Sequence, residues 1–202
     1  SSSYQLYFPQ PKRARGGDTD RLGNLISNHN IRRAAYEAVK EQNNVTILAG
    51  VGVKQARTTD TQAYLTLDNG EELTARLLVA ADSRFSQTRR QIGISADMHD
   101  FGRTVIVCRF KHEISNNHTA VEFFQYGRTL ALLPLEEHLT NCVITIDSDK
   151  AGSLLSLTPE ELAADLEKQL GYKLGKMEQA GTLHTYPLVG VHAGRFYAPR
   201  AA

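Results

Sequence analysis

Residues 77–94, LLVAADSRFSQTRRQIGI, decide how the rest of the chain is read. The run opens as an apolar strand, reaches an acid at Asp82, turns through Ser83, and re-enters as a helix carrying Ser86, Arg89 and Arg90. A strand that ends on a carboxylate and feeds a helix start is a common frame for a cofactor or ligand site. The same letters also suit plain capping, in which Asp82 and Ser86 satisfy free backbone N–H groups and Arg89 or Arg90 is solvated.

Upstream of this run, Ala63, Leu65 and Leu67 alternate with polar neighbours, and Asp68-Asn69-Gly70 supplies a tight turn. Residues 61–67 and 72–81 therefore read as a hairpin whose second strand delivers Asp82. That strand ends apolar on both faces, as a strand does on entering a covered sheet. Residues 45–53 form a β-branched run with Gly50 and Gly52, read as a bent strand. Across residues 26–42, Ile31, Ala34, Ala35, Ala38 and Val39 recur at helical spacing and predict a buried stripe. Ser27 and Asn28 stand where its N-cap belongs, and the free N–H groups there are a candidate anion site. Before it, residues 4–8 read as an edge strand, and Lys12, Arg13 and Arg15 as a basic cluster on a surface loop.

Downstream of Gly93 the pattern changes. Residues 104–110, 119–126, 129–135 and 141–146 read as four hairpin-linked strands, hence an antiparallel sheet. Thr158-Pro159-Glu160-Glu161 announces a helix with a capping box and a first-turn proline. Leu162, Ala163, Leu166 and Leu170 give that helix its buried face, and Gly171 stops it. A strand over residues 177–186 then leads into YPLVGVHAGRFYAPRAA, an ending that reads as cut from a longer polypeptide.

Composition narrows the function classes. With 23 basic and 22 acidic residues the formal charge is +1, which offers no basic excess for nucleic acid. No apolar run approaches the roughly 20 residues of a membrane span, so a cytoplasmic protein is the expectation. Cys108 and Cys142 lie in separate apolar runs and read as buried thiols. The seven histidines are scattered, and no metal site is expected. There is no G-x-G-x-x-G, P-loop, G-x-S-x-G elbow or H-E-x-x-H. No self-sufficient catalytic constellation is present, and the catalytic residues are unassigned.

Three segments together resemble the FAD-dependent aromatic hydroxylases of the p-hydroxybenzoate hydroxylase type, most closely their ubiquinone-biosynthesis branch. Asp82, Ser86, Arg89 and Gly93-Ile94 stand where that family has Asp-Gly, Ser, Arg and Gly-Ile, with Ser83 replacing the fingerprint glycine. DRLGNLISNHNIRRAAYEAV is similar to the segment leading into the helix beside the flavin. GKMEQAGTLHTYPLVGVHAGRFYAPR is similar to the strand crossing back from the substrate domain, and Ala131-Leu132-Leu133-Pro134 also fits. The family's N-terminal glycine motif and later Gly-Asp motif are absent.

The resemblance implies an α+β chain of the α/β family. It divides into an incomplete FAD-binding portion, residues 1–100 with 187–202 returning to it, and an antiparallel substrate-binding sheet, residues 101–186. It implies FAD as cofactor, NAD(P)H as co-substrate and oxygen insertion into an aromatic ring, a prenylated phenol or quinol. Asp82, Arg89, Asn28 and Val53 would touch the cofactor; Leu130, Leu132, Pro134, Tyr186 and Pro187 would line the substrate. Such a substrate implies peripheral association with the inner membrane or a biosynthetic complex. The isolated chain would hold half a cofactor cradle, be inactive and retain no flavin. The competing reading is a non-enzymatic α+β module for an apolar ligand or partner protein; a prenyl reductase or halogenase is a third.

Overall fold

The computed structural model describes residues 6, 8 and 22–202. The expected edge strand at residues 4–8, apart from Leu6 and Phe8, and the Lys12, Arg13 and Arg15 cluster lie outside the described residues. Among the described residues, two antiparallel sheets and four helices make an α+β fold.

The chain first forms helix α1 (Asn28–Lys40), which Ser27 caps by accepting from Asn30 N–H at 3.3 Å. None of its residues is buried, although its apolar stripe is present. The stripe was expected to be covered, yet Ile31 is 50% exposed. Among the described residues no side chains close over it. Residues 45–51 likewise lack the expected strand pairing, and the strand begins only at Val53.

Strands β1 (Val53–Thr58), β2 (Ala63–Leu67) and β3 (Glu72–Ala75) form a three-stranded sheet in that order. The turn at Gly70 requires a left-handed φ of +88°, which glycine adopts without a Cβ clash. The strand expected through Ala81 ends at Ala75, and Leu77 and Val79 beyond it are exposed. Leu78 instead forms an isolated parallel bridge with Ala201, which brings the last residues beside the approach to Asp82.

Helix α2 (Gln87–Gln91) packs on β1, where the Gln91 side-chain amide bonds to the backbone of Lys54 and Ala56. Strand β4 (Ala96–His112) then opens the second sheet, followed by β5 (Val121–Gln125), β6 (Arg128–Glu136) and β7 (Leu139–Asp147). All four expected strands form, but the neighbours differ from a simple meander. The order is β5-β6-β7-β4, so β4 lies against β7 and not β5. Strands β8 (Met177–Gln179) and β9 (His184–Ala193) take the other edge of β4, splitting what the sequence suggested was one strand over 177–186.

Between these strands come α3 (Ser148–Leu155) and α4 (Pro159–Gln169). Both cover one face of the sheet. The alternation of strand side chains puts Ile106, Cys108, Phe110, Leu130, Leu132, Cys142 and Ile144 against Leu154, Leu162 and Leu166 in one continuous core. The full capping box at Thr158 and Glu161 fixes the start of α4. Burial pushes the Cys108 thiol up to about 11 despite nearby Arg128, and raises Cys142 further above its ordinary range. Both thiols are reduced core residues.

Among the described residues no helix is long and apolar enough to cross a membrane.

Candidate functional site

The acid-led turn begins where the bridged segment at Leu78 ends. Asp82 sends Oδ2 to the Thr88 N–H at 3.2 Å, and Ser86 Oγ accepts from the Arg89 N–H at 2.8 Å. Both side chains thus cap α2, which is the local role their chemistry favours. Burial raises the Asp82 carboxyl, but hydrogen bonds from Ser86 and Thr88 outweigh it and hold the group below the usual carboxylate range. Asp82 is therefore ionised at neutral pH.

Ser83, next in line, holds φ +79°. In this left-handed region a Cβ costs on the order of 1–2 kcal/mol, so the backbone here has the shape of a glycine turn made with serine.

Alongside lies a cavity of about 230 Å³ between α2 and the segment after β9. Its polar wall is Ser83, Arg84, Ser86, Arg89 and Arg195, and among the described residues no acidic side chain lines it. Ile94 and Val191 supply an apolar floor. Arg89 donates from Nη1 to Arg84 O at 2.9 Å, whereas its Nε is buried without an acceptor. This donor set fits a phosphate- or diphosphate-bearing group, whose oxygens accept several charged N–H bonds at once.

The other predicted cofactor residues stand apart from this group. Asn28 is the exposed first residue of α1, after the Ser27 cap. Val53 opens β1 opposite Leu67. No hydrogen bond or ion pair among the described residues joins either to Asp82 or Arg89. Arg84 and Arg195 escaped the sequence reading. Arg195 is more than a hundred positions from Arg89, and no local pattern links them.

Strand parity divides the five predicted substrate-lining residues between the two faces of the sheet. Leu130 and Leu132 are 0% and 6% exposed and belong to the core under α3 and α4. Pro134 registers with buried Thr140, and Pro187 with Thr104, on the same helix side. Side chains alternate with period two, so the opposite face carries Ala131 and Leu133 instead. Their register partners Val143 and Asn141 continue it, as do Val105, Val107 and Tyr186 across the sheet. Of the five, only Tyr186 lies on this open face, half exposed at 49%. The register also places Arg109, Glu122, Asn141 and His184 on this face, which no described helix covers.

Buried His112 lies at one end of the core. Its Nδ1 is 2.8 Å from Ile114 O and its Nε2 is 2.9 Å from Thr140 Oγ1. A carbonyl only accepts, so Nδ1 carries the proton and Nε2 accepts. Among the described residues no cluster of three or more His, Cys, Asp or Glu side chains could hold a metal.

Comparison with known proteins adds to this geometry. A family model for the FAD binding domain matches residues 24–187. Ubiquinone hydroxylase UbiM of Neisseria meningitidis serogroup C is 63% identical over 201 residues, covering 100% of this chain and 44% of that protein. Ubiquinone hydroxylase UbiL of Rhodospirillum rubrum is 32% identical over 181 residues, 90% of this chain and 42% of its own. The chain thus spans less than half the length of these curated relatives. Among solved structures, p-nitrophenol 4-monooxygenase PnpA of Pseudomonas putida superposes with TM-score 0.67 at 16% identity, over 88% of this chain and 46% of that one. That likeness shows the shared fold.

Proposed function

Because the chain belongs to the FAD binding domain family, we propose that it is the central part of a flavin monooxygenase that hydroxylates an aromatic ubiquinone-pathway precursor. The observation that carries this reading is the 63% identity to a ubiquinone hydroxylase, sustained over the whole chain. The substrate is an electron-rich phenol or quinol with an apolar tail, and NAD(P)H is the reductant.

FAD, when bound, supplies the redox and oxygen-activating chemistry. The chain's own residues position and enclose. Asp82, ionised and fixed by α2, offers a carboxylate to an arginine or a ribose hydroxyl at the edge of the cofactor site. Arg89 offers its unpartnered Nε to the diphosphate. Asn28 at the start of α1 and the Val53 backbone are assigned to the flavin and adenine sides.

The open face of the second sheet takes the substrate ring. Val105, Val107, Ala131, Leu133 and Val143 present no charge, so a ring laid on these side chains displaces water from apolar surface. A two-part division follows, with residues 1–100 and 187–202 on the cofactor side and 101–186 on the substrate side. Strands β4 and β9 run through both parts. Their pairing shifts register between Asp100 and Thr104, at the proposed boundary. An apolar-tailed substrate places the enzyme at the cytoplasmic surface of the inner membrane or in a biosynthetic complex.

The test is a chimera in which this chain replaces the matching segment of the Neisseria relative. Supplied with FAD, NAD(P)H, oxygen and a prenylated phenol, it should add one oxygen atom to the ring, read by mass spectrometry. Asp82→Ala in that chimera should slow flavin reduction by NAD(P)H. A folded, flavin-loaded chimera that consumes NAD(P)H and releases only peroxide would sink the reading.

A further inference from the structure

An open sheet ends in strands whose outward N–H and C=O groups lack partners, and natural folds blunt such edges with short strands, basic side chains, prolines or bulges. The free edges at β1, β3, β8 and β9 are blunted in this way. Strand β1 carries Lys54 and Arg57 and shifts register between Val53 and Gln55. Strand β3 runs for four residues and β8 for three. Strand β9 holds Pro187, and its pairing with β4 slips between Asp100 and Thr104.

Strand β5 is the exception. Among the described residues it ends the order β5-β6-β7-β4, with no strand on its outer side. Its register with β6 is unbroken from Val121 to Gln125, and that run contains no proline and no basic residue. Antiparallel pairing uses the backbone groups of alternate residues, so half of those on β5 face outward. Phe124 is 79% exposed, and Tyr126 just beyond the strand is fully exposed. From α4, Gln169 donates to Gln125 Oε1 at 3.0 Å, which braces the strand in the extended shape a partner needs.

What fits this edge is the edge itself. A two-fold axis normal to the sheet lays a second β5 antiparallel to the first and keeps like faces together. Only residues of the same face then stand opposite each other. With the axis at Phe124, that ring meets its own copy, Glu122 stands opposite the Tyr126 hydroxyl twice over, and Phe123 stands opposite Gln125. Aromatic pairs and a phenol donating to a carboxylate are both favourable across strands. With the axis at Phe123 each carboxylate would face a phenyl ring, and with the axis at Glu122 two carboxylates would meet. We propose that β5 is a homodimer edge, through which two copies of this chain join their second sheets into one, centred on Phe124. Such a contact closes on itself, so association stops at two. With one short strand per copy the interface falls below about 1,200 Å², in the weak and reversible class.

Sedimentation velocity of the full chain, from micromolar to millimolar concentration, should show a reversible monomer–dimer equilibrium. Phe124→Lys and Phe124→Glu each set like charges across the axis, and each alone should weaken the dimer about tenfold or more. Because position 124 meets itself, an equimolar mixture of the two variants should restore dimers through opposite charges. Ile31→Lys, on exposed α1, should leave the equilibrium unchanged, which separates this edge from association through other apolar surface. Melting followed by circular dichroism verifies that each variant is folded. The proposal is overturned by a wild-type chain that stays monomeric at millimolar concentration, by association beyond two copies, or by undiminished dimers in the Phe124 variants. A mixture no more dimeric than its two components, or loss of the dimer in Ile31→Lys, overturns it equally.

Discussion

Ser83 illustrates what one position can and cannot reveal. The sequence marked it as the letter that breaks a glycine fingerprint, and the structure gives the physical content of that break, φ +79° on a residue with a Cβ. Ser83→Gly should therefore raise stability by roughly 0.5–1 kcal/mol, the relief of left-handed strain less the extra freedom of the unfolded chain. Urea unfolding with an unchanged slope and a higher midpoint is the expected result. A lower midpoint would mean that the serine side chain contributes more than its backbone loses. The capping of α2 by Ser86 was likewise legible, because a hydroxyl three residues before a free N–H is a local signal. The grouping of Arg84 with Arg195 was not, since nothing local records which distant side chains share a cavity.

At the scale of elements, helix α4 was readable to the residue because its capping box, first-turn proline and apolar spacing all lie within one short stretch. Helix α3 was missed because its cap position, Asp147, makes no capping bond and instead pairs with Lys150 and Arg103. The strands were legible by alternation, but their neighbours were not, as β4 passing beside β7 shows. Tertiary links between elements are where pH should act. His112 of β4 joins Thr140 of β7, and Asn116 of the following loop donates to the same Thr140 oxygen at 3.1 Å. Burial lowers the His112 pKa below its ordinary 6.5; the bond to Ile114 O opposes this and the nearby His138 charge adds to it. The folded chain thus keeps His112 neutral while the unfolded chain binds a proton, so stability is full above that ordinary value and falls as pH drops below it. Stability measured across mildly acidic pH should decline more steeply for wild type than for His112→Gln. Parallel declines would remove His112 as the cause.

Over the whole molecule, burial is uneven. The second sheet with α3 and α4 holds a continuous core, whereas α1, residues 45–48 and residues 77–79 leave Ile31, Ile47, Leu48, Leu77 and Val79 exposed. The sequence reading placed Ile31, Leu77 and Val79 inside because an apolar pattern reports which side of an element is apolar and not whether anything covers it. An exposed apolar surface of this kind binds hydrophobic dyes. The isolated chain should enhance anilinonaphthalene sulfonate fluorescence while keeping its near-ultraviolet circular dichroism, and Ile31→Lys with Leu77→Lys should lower the signal. Fluorescence no greater than that of a well-covered globular control would show these residues to be sheltered.

Strand β6 has a consequence for how this protein can change over time. Along residues 129–135 the even positions, Leu130 and Leu132, answer to the packing of α4, and the odd positions, Ala131 and Leu133, face outward. If the outward face takes the ring as proposed, selection on folding and selection on ligand shape act on interleaved letters of the same short word. A lineage can enlarge or shrink the outward residues while every inward residue stays fixed. New specificities are then reachable by single substitutions that leave the scaffold intact, whereas inserting one residue would exchange the two sets and forfeit both.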